Sequence, residues 1–399
     1  MTGADDALPA AIAERLGRLL DEHPPAATPD TEFWGAQFDL GLAWMHFPEG
    51  RGGLGVAPSV QAEVDAMLMA AGAPFDNRLR NILGWGMGAP VLMAHGTEDQ
   101  QDRWLRPIFT CEEIWCQLFS EPGAGSDLAA LAGRAVRDGD EWVVNGQKVW
   151  TTLAHEARWG MLVVRTDPDV PKHDGLTYFI VDMRQPGVEV RPLRQITGEA
   201  EFNEVYFIDA RVPDANRVGA VGDGWRVAIA TLMNERVAIG SGVAPRGSGA
   251  IAAAVEAWKA GGDRGPAWRD RLMRLWVEAE ALRLTNLRAS ELRSRGTPGP
   301  EGATAKLHWA DLNKRAYEFA VDLMGAGGML YPETFELRRP DRAGLGRRTA
   351  QMSFLRSRAN SIEGGTSEIM RNILGERVLG LPGEPRVDKE LAWKDVPRS

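Results

Sequence analysis

The spacing of apolar positions changes twice along the chain. Near the N-terminus they recur every three to four residues. Ile12, Leu16, Leu19 and Leu20 share one helical face within residues 8–20, and Pro24-Pro25 stops the run. A weaker helix is expected over 33–42. Residues 44–55 carry glycines at 50, 52, 53 and 55 and read as a loop. Pro58 opens a helix reaching about residue 71, and 87–94 forms another that ends at Gly96. Thr97 and Gln100 have the spacing of a capping box for a helix reaching about Arg106.

From Trp115 the apolar period falls to two. Alternating runs at 133–137, 141–144, 147–152, 160–166, 176–182, 188–195 and 202–208 predict strands. Asp138-Gly139 and Asn145-Gly146 predict hairpin turns between the first three. Short connections without intervening helices point to an antiparallel barrel or sandwich, and no G-x-G-x-x-G string follows a strand.

Helical spacing then returns. Asp223 is expected to cap a helix over 225–244, followed by helices at 246–260, 267–294 and 303–324. Glycine- and proline-rich segments at 261–266 and 296–302 separate them, so the run reads as a bundle. Residues 325–328 form a close-approach turn. Thr366 or Ser367 caps a last helix whose free N–H groups suit an oxygen ligand. The tail after Gly380 holds three prolines and is expected to run extended along the surface. The expected class is α+β in three parts: an N-terminal helical domain (1–114), a middle antiparallel β-barrel domain (115–216) and a C-terminal four-helix-bundle domain with its tail (217–399).

Composition narrows the functional classes. A length of 399 residues suits two or three domains. The net charge is −9 and no basic stretch suggests nucleic-acid binding. No run of eighteen apolar residues is long enough to span a membrane. Asp5, Asp6 and Glu14 interrupt the first twenty residues, which argues against a secretory or transit peptide and for a cytoplasmic protein. Cys111 and Cys116 are too few for a disulfide framework and lack ligand company, so buried thiols and no metal site are expected. His46 and His95 read as structural. The fourteen tryptophans fill the core or flank a flat cofactor; the count does not choose.

Two stretches carry candidate chemistry. Residues 117–127, QLFSEPGAGSD, start as an apolar strand, break at Pro122 and end on Ser126 and Asp127. Gly123 and Gly125 allow backbone N–H groups to approach carbonyl or phosphate oxygens, although an ordinary strand-to-loop junction has a similar composition. Glu235 shares a helix face with Thr231, Leu232, Ala238 and Ile239. A carboxylate there is costly to bury alone, so it is either paired, with Arg236 the obvious partner, or catalytic.

Four collinear strings, QLFSEPGAGSD (117–127), NGQKVWTT (145–152), NEVYFIDARV (203–212) and IEGGTSEIMRNILGERVLG (362–380), resemble the acyl-CoA dehydrogenase family over nearly the whole chain. The resemblance implies FAD held between the barrel and the C-terminal bundle, with an acyl-CoA thioester against the flavin. It implies oxidation of the Cα–Cβ bond to the trans-2-enoyl product, with electrons passing to an electron-transfer flavoprotein. It places Phe119 and Ser120 at the flavin ring, Ser126 near the pyrophosphate and the acyl-CoA, Trp150 flanking the flavin, and Thr152 near its N5. It places Thr366 and Glu368 at the adenosine end, where relatives often have Thr and Gln. A backbone N–H of the last-helix loop, here at Gly364, would polarise the thioester carbonyl, and Arg236 would lie on the substrate side.

The resemblance also bears on the base. Many members carry it in a Tyr-Glu-Gly-Thr loop; aligning Gly365-Thr366 puts Gly364 at the glutamate position and Glu363 one residue early. Isovaleryl- and long-chain-type members take a helix glutamate just before an arginine, which Glu235-Arg236 matches. Glu235 is therefore the expected base. Two departures stand out. The usual Arg-x-x-Phe-Gly is missing from 258–267, and Asp322 stands where relatives have Gln before the Gly-Gly turn. Both weaken the expected contact with a neighbouring subunit's flavin. The expected assembly is thus a homo-oligomer, dimer or tetramer, or a heteromer with a paralogous subunit. A flavin oxidase, or a non-catalytic or co-catalytic subunit, are the alternative activities.

Overall fold

The computed structural model describes residues 8–240, 243–261, 264–294, 300–331, 336–340, 348–386 and 388–397, with the side chains of 235–240, 293, 294 and 301 outside the described set. The first part is helical: α1 (Ala10–Glu22), α2 (Asp30–Asp39), α3 (Val60–Ala70), α4 (Asn77–Arg80), α5 (Ala89–His95) and α6 (Glu98–Phe109). Each expected helix is present, with ends displaced by a few residues. The capping box at α6 is formed: Thr97 Oγ1 accepts from the Gln100 amide, and the Gln100 side chain accepts from the Thr97 amide. Pro107 sits inside α6 without ending it.

The strands are β1 (Trp115–Leu118), β2 (Arg134–Asp138), β3 (Glu141–Thr152), β4 (Trp159–Arg165), β5 (Leu176–Asp182), β6 (Val188–Pro192), β7 (Phe202–Pro213) and β8 (Arg217–Val218). They form one sheet in the order β6-β7-β3-β2-β4-β5-β8, with β1 on β4. Most pairs are antiparallel, as expected; β1 and β4 run parallel. The Asp138-Gly139 hairpin is present, with Asp138 paired to Glu141.

The Asn145-Gly146 hairpin is a correction. The chain continues there as one twelve-residue strand with a register shift between Val144 and Gly146. A Cβ on Gly146 would stand 2.7 Å from the Gly133 Cα, so the glycine serves a close approach rather than a turn. The Asn145 side chain bonds Asp209 across the pair. The sixth strand also ends earlier than expected, at Pro192.

The sheet is covered on both sides, which explains why β4 and β5 are apolar almost throughout. Trp159, Met161, Val163, Tyr178 and Ile180 join the core of the N-terminal helices. Leu162, Val164, Phe179 and Val181 join a second core with Val205 and Phe207. Cys116 is buried, as expected; Cys111 is only half-buried.

The last part is helical again: α7 (Gly224–Gly240), α8 (Ala250–Ala260), α9 (Pro266–Ser294), α10 (Glu301–Leu323), α11 (Ala350–Ser357) and α12 (Ser367–Asn372). Helix α10 packs on α8, α9 and α11 around Leu275, Leu282, Leu312 and Phe319. Helix α7 instead lies mainly on β5, α5 and the π-turn Gly84–Gly88, through Val227 and Ala228. The tail is anchored as well as extended. The Trp393 amide donates to the Val170 carbonyl at 2.8 Å, and Arg165 lies over the Trp393 ring. No described helix is long and apolar enough to cross a membrane.

Candidate active site

Strand β1 leads directly into Phe119 and Ser120, and β3 holds that exit. The Val149 amide donates to the Ser120 carbonyl at 2.9 Å, and Lys148 Nζ donates to the Phe119 carbonyl at 3.0 Å. Lys148 also binds the Glu121 carboxylate at 2.8 Å, with its side chain 1% exposed. Glu121 in turn accepts from the amides of Ala132 and Gly133. This pair shuts the 121–133 loop against the sheet. Burial pushes the Lys148 ammonium below its ordinary pKa, against the pull of Glu121. Sequence reasoning missed the pair. Its only signal is a lysine beside valine and tryptophan in a strand.

Trp150 follows two residues later at a second register shift of β3, between Lys148 and Thr151. Its φ is +60°, a left-handed conformation costing roughly 1–3 kcal/mol for such a bulky residue. The bulge turns the indole outward, 58% exposed, edge-on to Phe202 at 5.8 Å. Thr152 pairs with Phe202 across the sheet. Phe119, Ser120, Trp150 and Thr152 are thereby brought together.

The C-terminal loop reaches the same place through Arg356. Its guanidinium lies 5.5 Å from the Phe202 ring centroid and binds Glu201 at 3.0 Å and Glu363 at 2.8 Å. Asn360 Nδ2 donates to the other Glu363 oxygen at 2.7 Å. Each Glu363 oxygen thus has one protein partner. Gly364 and Gly365 both adopt positive φ, 63° and 94°, and Lys306 donates to the Gly365 carbonyl. Thr366 caps α12, its Oγ1 accepting from the Ile369 amide at 3.1 Å. Glu368 is exposed and pairs with Arg371.

Ser126 is exposed on the other side of Pro122, next to Asp127, whose carboxylate meets Lys172 at 2.7 Å. Lys172 also binds Asp388 of the tail. A Cβ added to Gly123 or Gly125 would meet nothing within 4 Å, so the space above this turn is open. Helix α7 enters over Tyr178, whose ring stands edge-on to Phe119 at 6.0 Å and whose hydroxyl meets Thr231 at 3.3 Å. Glu235 lies one helical turn beyond Thr231. Its side chain and that of Arg236 lie outside the described residues.

The donor set fits a flat, polar-edged cofactor. Among the described residues no protein partner claims the hydroxyls of Ser120, Ser126 or Thr152, and the strained, outward Trp150 offers a bare ring face. The flavin expected from the sequence fits these groups. No cluster of His, Cys, Asp and Glu able to hold a metal occurs among the described residues.

Comparison with known proteins shows the family of the chain and agrees with its fold. Residues 6–112, 116–210 and 222–379 match the family models for the acyl-CoA dehydrogenase N-terminal, middle and C-terminal domains. Acyl-CoA dehydrogenase FadE34 of Mycobacterium tuberculosis is 41% identical over 90% of this chain, which spans 47% of that longer protein. Acyl-CoA dehydrogenase IpdE1 of the same organism is 42% identical over 87% of this chain and 86% of its own length. Among solved structures, the Tcur3481-Tcur3483 steroid ACAD matches with a TM-score of 0.70 at 26% identity, over 95% of this chain and 100% of that one. The ChsE4-ChsE5 complex from Mycobacterium tuberculosis matches at 0.67 and 28%, over 95% and 100%.

Proposed function

Because the chain belongs to the acyl-CoA dehydrogenase family, we propose that it oxidises the Cα–Cβ bond of an acyl-CoA thioester to the trans-2-enoyl product. Glu235 is the base that removes the α-proton. The Gly364 amide donates to the thioester carbonyl and makes that proton more acidic. FAD held in this site would supply the acceptor for the β-hydride. Phe119, Ser120 and Thr152 orient the ring edge, Trp150 covers a ring face and keeps water off it, and Ser126 serves both cofactor and acyl-CoA. Thr366 and Glu368 serve the adenosine end, and Arg236 lies beside the base.

One observation carries the choice of base. Glu363, the rival carboxylate, is held by Arg356 and Asn360 at both oxygens, so it stiffens the loop rather than accepting protons. Glu235 sits on the helix pinned over Tyr178 and Phe119. The reaction is tested by anaerobic mixing of the flavin-loaded chain with straight, branched and steroid-derived acyl-CoA thioesters. At least one class should bleach the flavin; oxygen uptake without another acceptor would instead favour an oxidase. An electron-transfer flavoprotein is the acceptor we assign, and the cytoplasm the place.

A heteromer with a paralogous subunit is the second reading. It is supported by the missing Arg-x-x-Phe-Gly string and by two-component complexes among the structural neighbours. Full flavin occupancy of the chain purified alone would remove the need for it.

A further inference from the structure

The loop that carries Ser126 is held at both ends. Before the serine, the buried Lys148–Glu121 pair fixes residue 121. After it, three successive carbonyls are taken in turn. Arg165 Nη2 donates to Ala129 at 2.7 Å, the Trp393 indole N–H to Ala130 at 3.3 Å, and Arg165 Nε to Leu131 at 3.2 Å. Trp393 comes from the C-terminal tail, 263 residues away in sequence, and the same Arg165 guanidinium lies 4.3 Å from its ring centroid. Lys172 binds the Asp127 carboxylate at 2.7 Å and Asp388 of the tail at 2.6 Å, with its side chain 7% exposed. The tail backbone closes the arrangement. Ala392 bridges Pro171, and the Trp393 and Lys394 amides donate to the carbonyls of Val170 and Pro168 at 2.8 and 3.1 Å. Chain ends fray unless tied down. This one is tied to the loop after Ser126 and to the β4–β5 connection, while no described apolar residue after Met370 is buried in a core.

We propose that Asp388 and Trp393 are positioning residues for the cofactor and coenzyme A: the tail is a strap that sets the turn 122–126 and with it Ser126. The inference rests on the reading above that Ser126 serves both ligands. Only residues 122–126 separate Glu121 from Asp127, so fixing both ends leaves the turn few conformations. A turn ordered before its ligands arrive binds them without the cost of ordering it. Loosening the strap moves that cost into the binding step. Affinity then falls, while the chemistry of the filled site, run from α7, keeps its rate.

Trp393→Ala in the full chain tests it by three readouts. Hydrogen–deuterium exchange should rise in residues 122–131 and stay as in the parent in α8, α9 and α10. The dissociation constants of FAD for the apoprotein and of coenzyme A for the flavin-loaded chain should each rise by about three- to tenfold. Flavin reduction at saturating thioester should stay within about twofold of the parent, with KM carrying the loss. Trp393→Phe keeps a ring over Arg165 and should recover most of the affinity. Asp388→Asn removes one of the two carboxylates on Lys172 and should weaken both ligands by about two- to threefold, which keeps the test decisive if the alanine variant does not fold. Unchanged exchange in 122–131, or a loss confined to the maximal rate, would overturn the proposal. A parent that binds neither FAD nor coenzyme A would overturn the reading of Ser126 beneath it. A parent that binds both, beside variants that bind them equally well, would overturn the strap alone.

Discussion

The hydroxyls of Thr231 and Tyr178 meet at 3.3 Å in a buried seam, and that contact pins helix α7 to strand β5 beside Phe119. The two partners are not equivalent. Thr231 Oγ1 also bonds the Val227 carbonyl at 2.9 Å, so it stays satisfied without the tyrosine. The Tyr178 hydroxyl has no second partner among the described residues. Thr231→Val should therefore cost about 1–3 kcal/mol by orphaning a buried hydroxyl, and Tyr178→Phe only about 0.5–1.5 kcal/mol. Urea unfolding curves of the two variants check the order.

The buried Lys148–Glu121 pair should behave as a coupled unit. Lys148→Met leaves a carboxylate buried with only amide donors, and Glu121→Leu leaves a buried ammonium with only the Phe119 carbonyl. Each should destabilise by about 3–5 kcal/mol, and the double variant by clearly less than the sum. A double-mutant cycle by chemical denaturation measures the coupling. Additive losses would mean the two groups act separately.

Acid should weaken the seam between β3 and the turn before β8. Arg217 first, and then the Trp142 indole N–H at 2.8 Å, hold the Asp214 carboxyl down at about 2, below its ordinary value. A depressed folded-state value means the carboxylate stabilises above its unfolded pKa of about 4 and loses that contribution as pH falls toward about 2. Asp214→Asn should flatten the drop in stability across this window. Unfolding followed by tryptophan fluorescence at stepped pH checks it, and an unchanged slope would contradict it.

Glu363→Gln should leave flavin bleaching within about tenfold of the parent, because that side chain braces the loop through Arg356 and Asn360 and does not take the proton. Rapid-mixing absorbance at the flavin band reads the rate. A loss of about a thousandfold would hand the role of base to the loop.

Much of the fold was legible because local rules and burial agree. Ile12, Leu16 and Leu19 mark a helix face and become core, and Thr97 with Gln100 marks a capping box that forms. Asn145-Gly146 misled because a glycine needed for close approach to Gly133 spells the same dipeptide as a hairpin turn. The parallel pairing of β1 with β4 has no local signature at all, since alternation does not encode strand direction. Motif strings singled out Phe119, Ser120, Trp150 and Thr152 as candidates, yet neither the left-handed bulge that exposes Trp150 nor the Lys148–Glu121 clamp was readable. Both depend on partners far away in sequence.

If the carboxylate of residue 235 takes the α-proton, removing its charge should slow flavin reduction without emptying the site. Glu235→Gln, purified with its flavin, is mixed anaerobically with the best thioester substrate and followed at the flavin absorbance band. The variant should keep parent-like flavin content and substrate binding, with reduction slowed by about 10²–10⁴-fold. Reduction at close to the parent rate would contradict it.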